Sequence, residues 1–184
     1  MSWVLDNLGL IGGLTLDHLR QSVIPLVIGF IISVPLGWVA WRYRLVRSGV
    51  ITITGLLYTI PSLALLILLP SVLGYSIVSE TNLIVALAIY AVAILVRSVA
   101  DGLDSVDPGV RQASTAIGYG TFRRFWAVDF PLAGPVILAG LRVAAASTIS
   151  LATVGILVGG LLVAALAYVI SGPWRRAAGD YEPH

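Results

Sequence analysis

Long runs without charged residues constrain the fold of this chain more than any other feature. The runs lie between Arg20 and Arg42, between Arg47 and Glu80, between Glu80 and Arg97, and between Arg142 and Arg175. All but the third reach the length of about 20 residues that a helix needs to cross a bilayer. Hydrophobic residues make up 58% of the chain and charged residues 11%, whereas about 25% of the residues in a soluble domain are charged. The chain is therefore predicted to be an all-α, polytopic integral membrane protein.

The composition also argues against several kinds of chemistry. There is no cysteine, and the two histidines, His18 and His184, lie at opposite ends of the chain. This disfavours thiol chemistry, disulfides and a transition-metal site. All 11 basic residues are arginine, so the chain lacks the lysine with which a P-loop contacts nucleotide phosphates. We therefore expect no catalytic residue and no bound metal, and any ATP that drives the protein must be bound by another subunit.

The placement of arginine predicts the orientation of the membrane spans. Five apolar spans are predicted at about 21–41, 50–74, 83–98, 131–158 and 161–170. Basic residues follow the first, third and fifth spans, whereas the loop after the second contains Glu80 and no basic residue. Basic residues accumulate on the cytoplasmic side of membrane proteins. The N-terminus is therefore predicted to be outside, and the loop at 99–130 and the C-terminus to be cytoplasmic.

Three segments are predicted along the chain. Residues 1–17 form either an interfacial, loosely ordered leader outside the membrane or an ordinary frayed terminus, residues 18–176 form the membrane domain, and residues 177–184 form a polar tail. The last span is short, because ten residues make only about 15 Å of helix, half a bilayer. Gly159 and Gly160 are compatible with a turn before it, but a turn there leaves the returning helix too short. Either this span is re-entrant or residues are missing near 158–161, and the second explanation is favoured.

The polar loop at 99–130 contains the signals of two short helices. Asp107 can cap a helix, and Pro108 suits its first position. One face of this helix is predicted to contain Val110, Ala113, Ser114 and Ile117. Gly118 is predicted to end it, and Thr121 to cap a second, aromatic helix. Two short helices with a glycine corner suit docking into a groove of another protein, and a linker that touches only lipid headgroups is the alternative.

Residues 112–118, followed after nine residues by residues 128–131, form a pattern that is known in a transporter family. They resemble the EAA loop of binding-protein-dependent ABC importer permeases. That pattern is Glu-Ala-Ala, three residues, Gly, nine residues, then a hydrophobic residue, any residue, Leu and Pro. Here Ala113, Gly118 and Pro131 match, and the triplet itself reads Gln-Ala-Ser. Loss of the glutamate charge is expected to alter a contact to the ATPase.

Further stretches are similar to the osmoprotectant (glycine betaine, carnitine, choline) subfamily of these permeases. They are Tyr-Thr-Ile-Pro-Ser-Leu-Ala-Leu-Leu at 58–66, and the stretches at 97–98, 102–108 and 135–144. The resemblance covers roughly residues 18 to 158. It ends after Gly159, where the family continues with an external segment before the last span, and this departure puts the extracellular gate in question.

The resemblance implies a type I ABC importer-like permease in the bacterial cytoplasmic membrane. Such a permease pairs with a second copy or a related permease to form the pathway. Its partners would be an ATPase that binds ATP and Mg²⁺ on the cytoplasmic side and a solute-binding protein outside, with no role for nucleic acid. The residues that it implies for coupling to the ATPase are Val110, Arg111, Gln112, Ala113, Ser114, Ile117, Gly118, Tyr119, Phe122 and Pro131.

Pathway and gating residues are expected on the second and fourth spans. The candidates are Tyr58, Thr59, Pro61, Ser62, Ser147 and Thr148. Pro61 is either a gating hinge or a static kink, and the hydroxyls either line a path or form bonds between helices. Aromatic cages hold quaternary ammonium ligands, but Tyr58, Tyr75 and Tyr90 are predicted to lie on separate elements. The external binding protein is therefore expected to supply selectivity.

Three other functions stay open. A permease for another small solute, such as an amino acid or a sulfonate, would share the EAA loop. A stand-alone channel or secondary carrier should show internal repeats or paired intramembrane charges, and neither is visible. A membrane enzyme would need clustered catalytic side chains near one interface, and the acidic residues at 101, 104 and 107 have a simple explanation as a solvated loop.

Overall fold

A computed structural model describes residues 6–59, 62–74, 76 and 79–170, and these residues are almost entirely helical. The α-helices are α1 (Leu8–Arg42), α2 (Arg44–Thr59), α3 (Ser62–Leu73), α4 (Glu80–Asp104), α5 (Pro108–Ala116), α6 (Thr121–Arg124) and α7 (Phe130–Ile170), with one π-helical turn (Phe125–Asp129). The predicted all-α fold is confirmed.

Helix α4 is the centre of the bundle, because it packs extensively against α1 and α7 and also contacts α2 and α3. Small residues let these helices approach closely. A Cβ atom placed on Gly29 of α1 would lie 2.5 Å from the Cβ of Ala91, and one placed on Gly37 would lie 2.6 Å from the Cβ of Val99. Lipid tails are as apolar as leucine, so helices in a membrane associate through such close packing rather than through the hydrophobic effect.

The contacts along α4 also give the direction of each helix. Gly29 of α1 lies against Ala91 and Gly37 against Val99, so α1 and α4 are parallel. Because α1 and α4 run in the same direction, the chain must return across the bundle between them. Helices α2 and α3 lie in this returning part of the chain, with a bend of 111° between them.

Helix α7 is antiparallel to α4. Gly102, near the end of α4, faces Ala133 near the start of α7, whereas Leu83, near the start of α4, faces Gly155. By length and composition, three of the described helical segments could cross a membrane, at 8–42, 80–104 and 121–157, or four segments if the bent pair counts as one span. The relative directions of α1, α4 and α7 agree with the alternation predicted for the first, third and fourth spans.

Two predictions about the ends of the spans are wrong. Residues 8–17 are not loosely ordered, since α1 begins at Leu8 and continues through them to Arg42. Gly159 and Gly160 do not form a turn, because α7 continues through them to Ile170. A glycine within a helix lowers the stability of the helix by only about 1 kcal/mol relative to alanine. The flanking Leu, Val and Ala residues are compatible with a helix, so the two glycines do not interrupt α7. The predicted fifth span is therefore a continuation of the fourth within the described residues.

The cytoplasmic position predicted for the C-terminus depended on that fifth span. Residues 171–184 lie outside the described residues, as does Pro61, the proposed hinge. Ser62 is the first residue of α3. The second predicted span, 50–74, is divided between α2 and α3 rather than formed by one helix.

Candidate functional site

The coupling segment, residues 105–130, connects α4 to α7. Its first helix, α5, begins where local sequence dictates. The carboxylate of Asp107 accepts a hydrogen bond from the backbone N–H of Gly109 at 2.6 Å, and Pro108 occupies the first turn. A proline there loses no hydrogen bond, because the first N–H groups of a helix have no partner within the helix. The predicted start of α5 is confirmed.

Helix α5 ends in a Schellman motif. Gly118 has a φ of 91°, its N–H donates to the carbonyl of Thr115, and the N–H of Tyr119 donates to the carbonyl of Ser114. These are the two bonds that define the motif, and its left-handed residue is usually glycine because a side chain there is strained. A Cβ on Gly118 would meet no atom within 4 Å. Glycine is therefore required for its backbone conformation rather than for space inside this chain.

The second half of the coupling segment differs from the prediction. Thr121 is the first residue of α6 rather than its cap. Gly120 occupies the cap position and has no side chain with which to cap the helix. The extended backbone of Gly120 already turns the chain into the helix, so a capping side chain is not needed. The helix has four residues and passes into the π-helical turn Phe125–Asp129.

Asp129, in this π-helical turn, anchors the coupling segment. Its side chain is 1% exposed, and its two oxygens accept hydrogen bonds from the Nε atoms of Arg111 at 3.0 Å and Arg124 at 3.2 Å. A buried carboxylate is tolerated only when it is paired and hydrogen-bonded. The pairing therefore fixes α5, α6 and the start of α7 relative to one another.

Arg111 extends this cluster to the membrane helices. Its second guanidinium nitrogen donates to the carbonyl of Leu103 at the end of α4. The guanidinium carbon also lies 4.6 Å from the ring centroid of Trp41 at the end of α1, a favourable cation–π geometry. One arginine thus ties the coupling segment to both parallel helices of the bundle.

The surface of the coupling segment exposes apolar side chains. Ile117 is 77% exposed and Phe122 is 75% exposed, and Val110 and Ala113 are exposed as well. Ser114 was predicted on the same face but is buried, because its hydroxyl turns inward and donates to the carbonyl of Arg111. Of the remaining coupling candidates, Gln112 and Pro131 are exposed and Tyr119 is half-buried, with the guanidinium carbon of Arg123 4.9 Å from its ring centroid. A fixed segment with exposed apolar side chains can dock another protein.

A second group of candidates lies along a groove between α2, α4 and α7. One cavity, of about 560 Å³, is lined by Tyr58, Tyr90, Ala146, Ser147, Ser150 and Leu151. A second, of about 290 Å³, also contains Tyr58 and extends toward Arg97, Ser98 and Asp101. Tyr58 lines both cavities, so they are neighbours, and we call the two together the tyrosine groove. It extends from the middle of α4 toward the end that leads to the coupling segment.

The structure separates the predicted pathway residues. Tyr58 and Ser147 line the tyrosine groove. Thr148 is buried, and its hydroxyl donates to the carbonyl of Ala144 on its own helix. Thr59 is exposed, and its hydroxyl donates to the carbonyl of Leu56. Of these four candidates, Tyr58 and Ser147 therefore line this groove.

Sequence reasoning missed two residues of these sites. Asp129 occupies the position of the family pattern where any residue is allowed, so nothing in the motif distinguishes it. Tyr58 and Tyr90 lie on separate helices, as predicted, but no convergence of their rings was expected, and the two centroids are 6.1 Å apart. Ser147 and Ser150, three residues apart, were a usable signal, since that spacing places them on one helix face.

Comparison with known proteins identifies the family. Residues 26–172 match the binding-protein-dependent transport system inner membrane component family. The chain belongs to this family.

Relatives of known function include the osmoprotectant import permease protein OsmW of Salmonella typhimurium, which is 34% identical over 85% of this chain and 74% of its own length. The choline transport system permease protein OpuBB of Bacillus subtilis is 33% identical, over 79% of this chain and 66% of its own length. The glycine betaine/carnitine/choline transport system permease protein OpuCB of the same organism is 32% identical, over 87% and 72%. This chain thus matches two thirds to three quarters of the length of these relatives.

Solved structures support the fold of this family member. An inward-facing form of the MetNI methionine ABC transporter contains a chain that matches with a TM-score of 0.69 at 21% identity, over 78% of this chain and 71% of that chain. A second crystal form gives 0.65 at 19% identity, over 84% and 88%. The helices of this chain are therefore arranged as in a chain of an ABC transporter, which agrees with the predicted ABC importer-like fold.

Proposed function

We propose that this family member is the permease subunit of an ABC importer, and that its solute is an osmoprotectant such as choline, glycine betaine or carnitine. The solute class is supported by the names of the three relatives, which share about a third of their residues with this chain over most of its length. In this proposal the chain is not an enzyme, since a partner ATPase binds and hydrolyses ATP with Mg²⁺.

The observation that carries the proposal is the construction of the coupling segment. Asp129 and its two arginines fix α5 to the ends of the membrane helices, while Ile117 and Phe122 extend away from them. A lever that transmits movement between subunits needs a rigid attachment at one side and a complementary surface at the other. Both features occur within residues that also match the EAA pattern.

Charge supports a cytoplasmic position for this lever. Arg42, Arg44 and Arg47 lie at the junction of α1 and α2, at the same end of the bundle as the coupling segment, where Arg47 pairs with Asp104. The coupling segment adds Arg111, Arg123 and Arg124. Among the described residues the opposite end has only Arg20, so the positive-inside rule favours an outer N-terminus. The external partner is a solute-binding protein, and a second permease copy or a related permease completes the pathway.

The test is association with the ATPase. The permease is co-expressed with its cognate ATPase subunit and purified in mild detergent, as wild type, Ile117→Glu and Leu45→Glu. Leu45 is the matched control, because it is 96% exposed on α2 near the same end of the bundle. We expect Ile117→Glu to weaken ATPase binding by at least about tenfold, as loss of an interface anchor does, and Leu45→Glu to retain binding.

The outcomes separate the proposal from its rivals. Equal ATPase recovery with Ile117→Glu and wild type would contradict the docking surface. Absence of the ATPase from folded, monodisperse wild-type protein would favour a stand-alone channel or carrier. ATP-dependent uptake of choline, glycine betaine or carnitine by the complete complex in proteoliposomes then tests the solute class.

A further inference from the structure

The tyrosine groove is formed by one stripe of residues from each of three helices. Helix α2 contributes Ile51, Thr54, Gly55 and Tyr58, and α7 contributes Val143, Ala146, Ser147, Ser150 and Leu151. Helix α4 contributes residues at 90, 94, 97 and 101. Intervals of three and four residues place each set on one helix face. The two cavities together therefore follow one face of α4 for about three turns, from Tyr90 to Asp101.

Its widest part contains a pair of aromatic rings. The rings of Tyr58 and Tyr90 are inclined at 56° with centroids 6.1 Å apart, and both line the cavity of about 560 Å³. A cation attracted by an aromatic face lies within about 6 Å of the ring centroid. Two inclined rings that line one cavity can therefore both face a single cationic group in that cavity.

The chemistry of the solute class fits such a pair. A trimethylammonium group carries a positive charge but no N–H, so it cannot donate a hydrogen bond to a carboxylate or a carbonyl. Aromatic faces recognise it through the ring quadrupole, and the hydroxyls of Ser147 and Ser150 supply dipoles at the same cavity. Among the described residues no arginine lines this cavity. Arg97 lines the neighbouring cavity, where its Nε atom lies 3.7 Å from the carboxylate of Asp101.

Two other cavities of the described residues lack this combination. The aromatic cavity of about 540 Å³ between α1 and the coupling segment contains Trp38, Phe122, Phe125, Trp126 and Phe130 but no hydroxyl-bearing or ionisable side chain. A cavity of about 390 Å³ between α1 and α4 is lined by aliphatic residues and contains no aromatic ring. Aromatic faces and hydroxyls coincide in the tyrosine groove.

We propose that Tyr58 and Tyr90 form a transient subsite for the trimethylammonium group of a quaternary-ammonium solute that passes through the permease. The proposal rests on the proposed function and extends it, because it assigns part of the selectivity to this chain rather than to the external binding protein alone. A transit site has to bind weakly enough to release its ligand. Tyr58 is 54% exposed and Tyr90 is buried. A ligand held by these two rings is less enclosed than in a closed aromatic cage and is therefore released more easily.

The first experiment compares Tyr58→Leu, Tyr58→Phe and Tyr43→Leu. The complete complex of permease, ATPase and binding protein is reconstituted in proteoliposomes, and the choline transported per ATP hydrolysed is measured. Tyr43 is the matched control, because it is also 54% exposed but lies at the junction of α1 and α2. We expect Tyr58→Leu to lower the ratio about fivefold, as loss of one cation–π contact would, with the other two variants within about twofold of wild type.

A second measurement does not depend on a variant. Saturation-transfer NMR on the wild-type permease–ATPase complex, without the binding protein, compares choline with its neutral isostere 3,3-dimethylbutan-1-ol. The two differ in charge but hardly in shape. We expect the methyl signals of choline to receive several times more saturation than those of the isostere.

The outcomes distinguish failure of the subsite from failure of the function. A wild-type ratio of choline to ATP in Tyr58→Leu, or equal saturation of choline and its isostere, would overturn the subsite while uptake by wild type still supports the importer. Absence of ATP-dependent uptake of choline, glycine betaine and carnitine by the wild-type complex would overturn the proposed function, and the subsite with it.

Discussion

The coupling segment and the tyrosine groove meet the same central helix but arrange their polar side chains in opposite ways. In the coupling segment the carboxylate of Asp129 is buried and both oxygens are hydrogen-bonded to arginine. In the groove the carboxylate of Asp101 is 50% exposed and its partners Arg47 and Arg97 are 3.6 and 3.7 Å away. The first arrangement fixes geometry, and the second leaves polar groups accessible. A lever and a passage need these two properties respectively.

The largest effect is expected from Asp129→Ala, which removes the fixed geometry of the coupling segment. Arg111 and Arg124 would keep their charges in a mostly buried site without a carboxylate, and breaking such a pair costs about 3–5 kcal/mol. The thermal unfolding midpoint in detergent and ATP-driven uptake should both fall strongly. Glu80→Ala is the control, since Glu80 lies 3.8 Å from Arg20 with both side chains well exposed, and exposed pairs contribute about 0–1 kcal/mol. Similar midpoints for the two variants would show that the buried cluster is not what holds the segment.

An intermediate effect is expected from Gly118→Ala. A side chain at a φ of 91° costs about 1–2 kcal/mol, and the strain falls on the corner between α5 and α6. We expect reduced coupling, measured as solute transported per ATP hydrolysed, together with modest destabilisation. Gly120→Ala is the matched control, because Gly120 has a φ of −68° that alanine adopts readily. If both variants behave alike, the left-handed corner has no special role.

The smallest effects are expected from removing either of two neighbouring hydroxyl groups on α7, those of Ser147 and Thr148. Ser147→Ala removes a hydroxyl from the tyrosine groove, so we expect uptake of choline to fall about twofold, the scale of a weak polar contact near 0.5 kcal/mol, with little change in stability. Thr148→Val removes a buried hydroxyl that is bonded within its own helix, so its effect should fall on stability rather than on uptake. The measurements are proteoliposome uptake and thermal unfolding of both variants. The opposite pattern would place the path on the other face of α7.

Local features of the sequence predicted much of this molecule. The uncharged runs predict membrane helices because a hydrocarbon layer excludes charge over a known thickness. Asp107, Pro108 and Gly118 predict the ends of α5 because caps and left-handed turns form between residues a few positions apart. The EAA pattern is likewise recognised within one stretch of the chain, residues 112–131.

Sequence spacing also misled in places, for a physical reason. Gly159 and Gly160 are compatible with a turn, but glycine permits a helix as well, and only the surrounding structure decides between the two. Ser114 has the helical spacing of Val110 and Ile117, yet its hydroxyl bonds to the backbone and faces inward. A pattern of residue types does not specify such local choices.

The sequence by itself determined that this protein lies in a membrane, where its spans approximately lie, and where its coupling helix α5 begins and ends. Each of these depends on composition or on neighbouring residues. Tertiary structure alone decided that Asp129 is buried between Arg111 and Arg124, and that Tyr58 meets Tyr90 across 32 positions of the chain. Those contacts follow from how α2 and α7 pack on α4. Packing of that kind is set by small residues distributed over several helices, and no single stretch of sequence contains it.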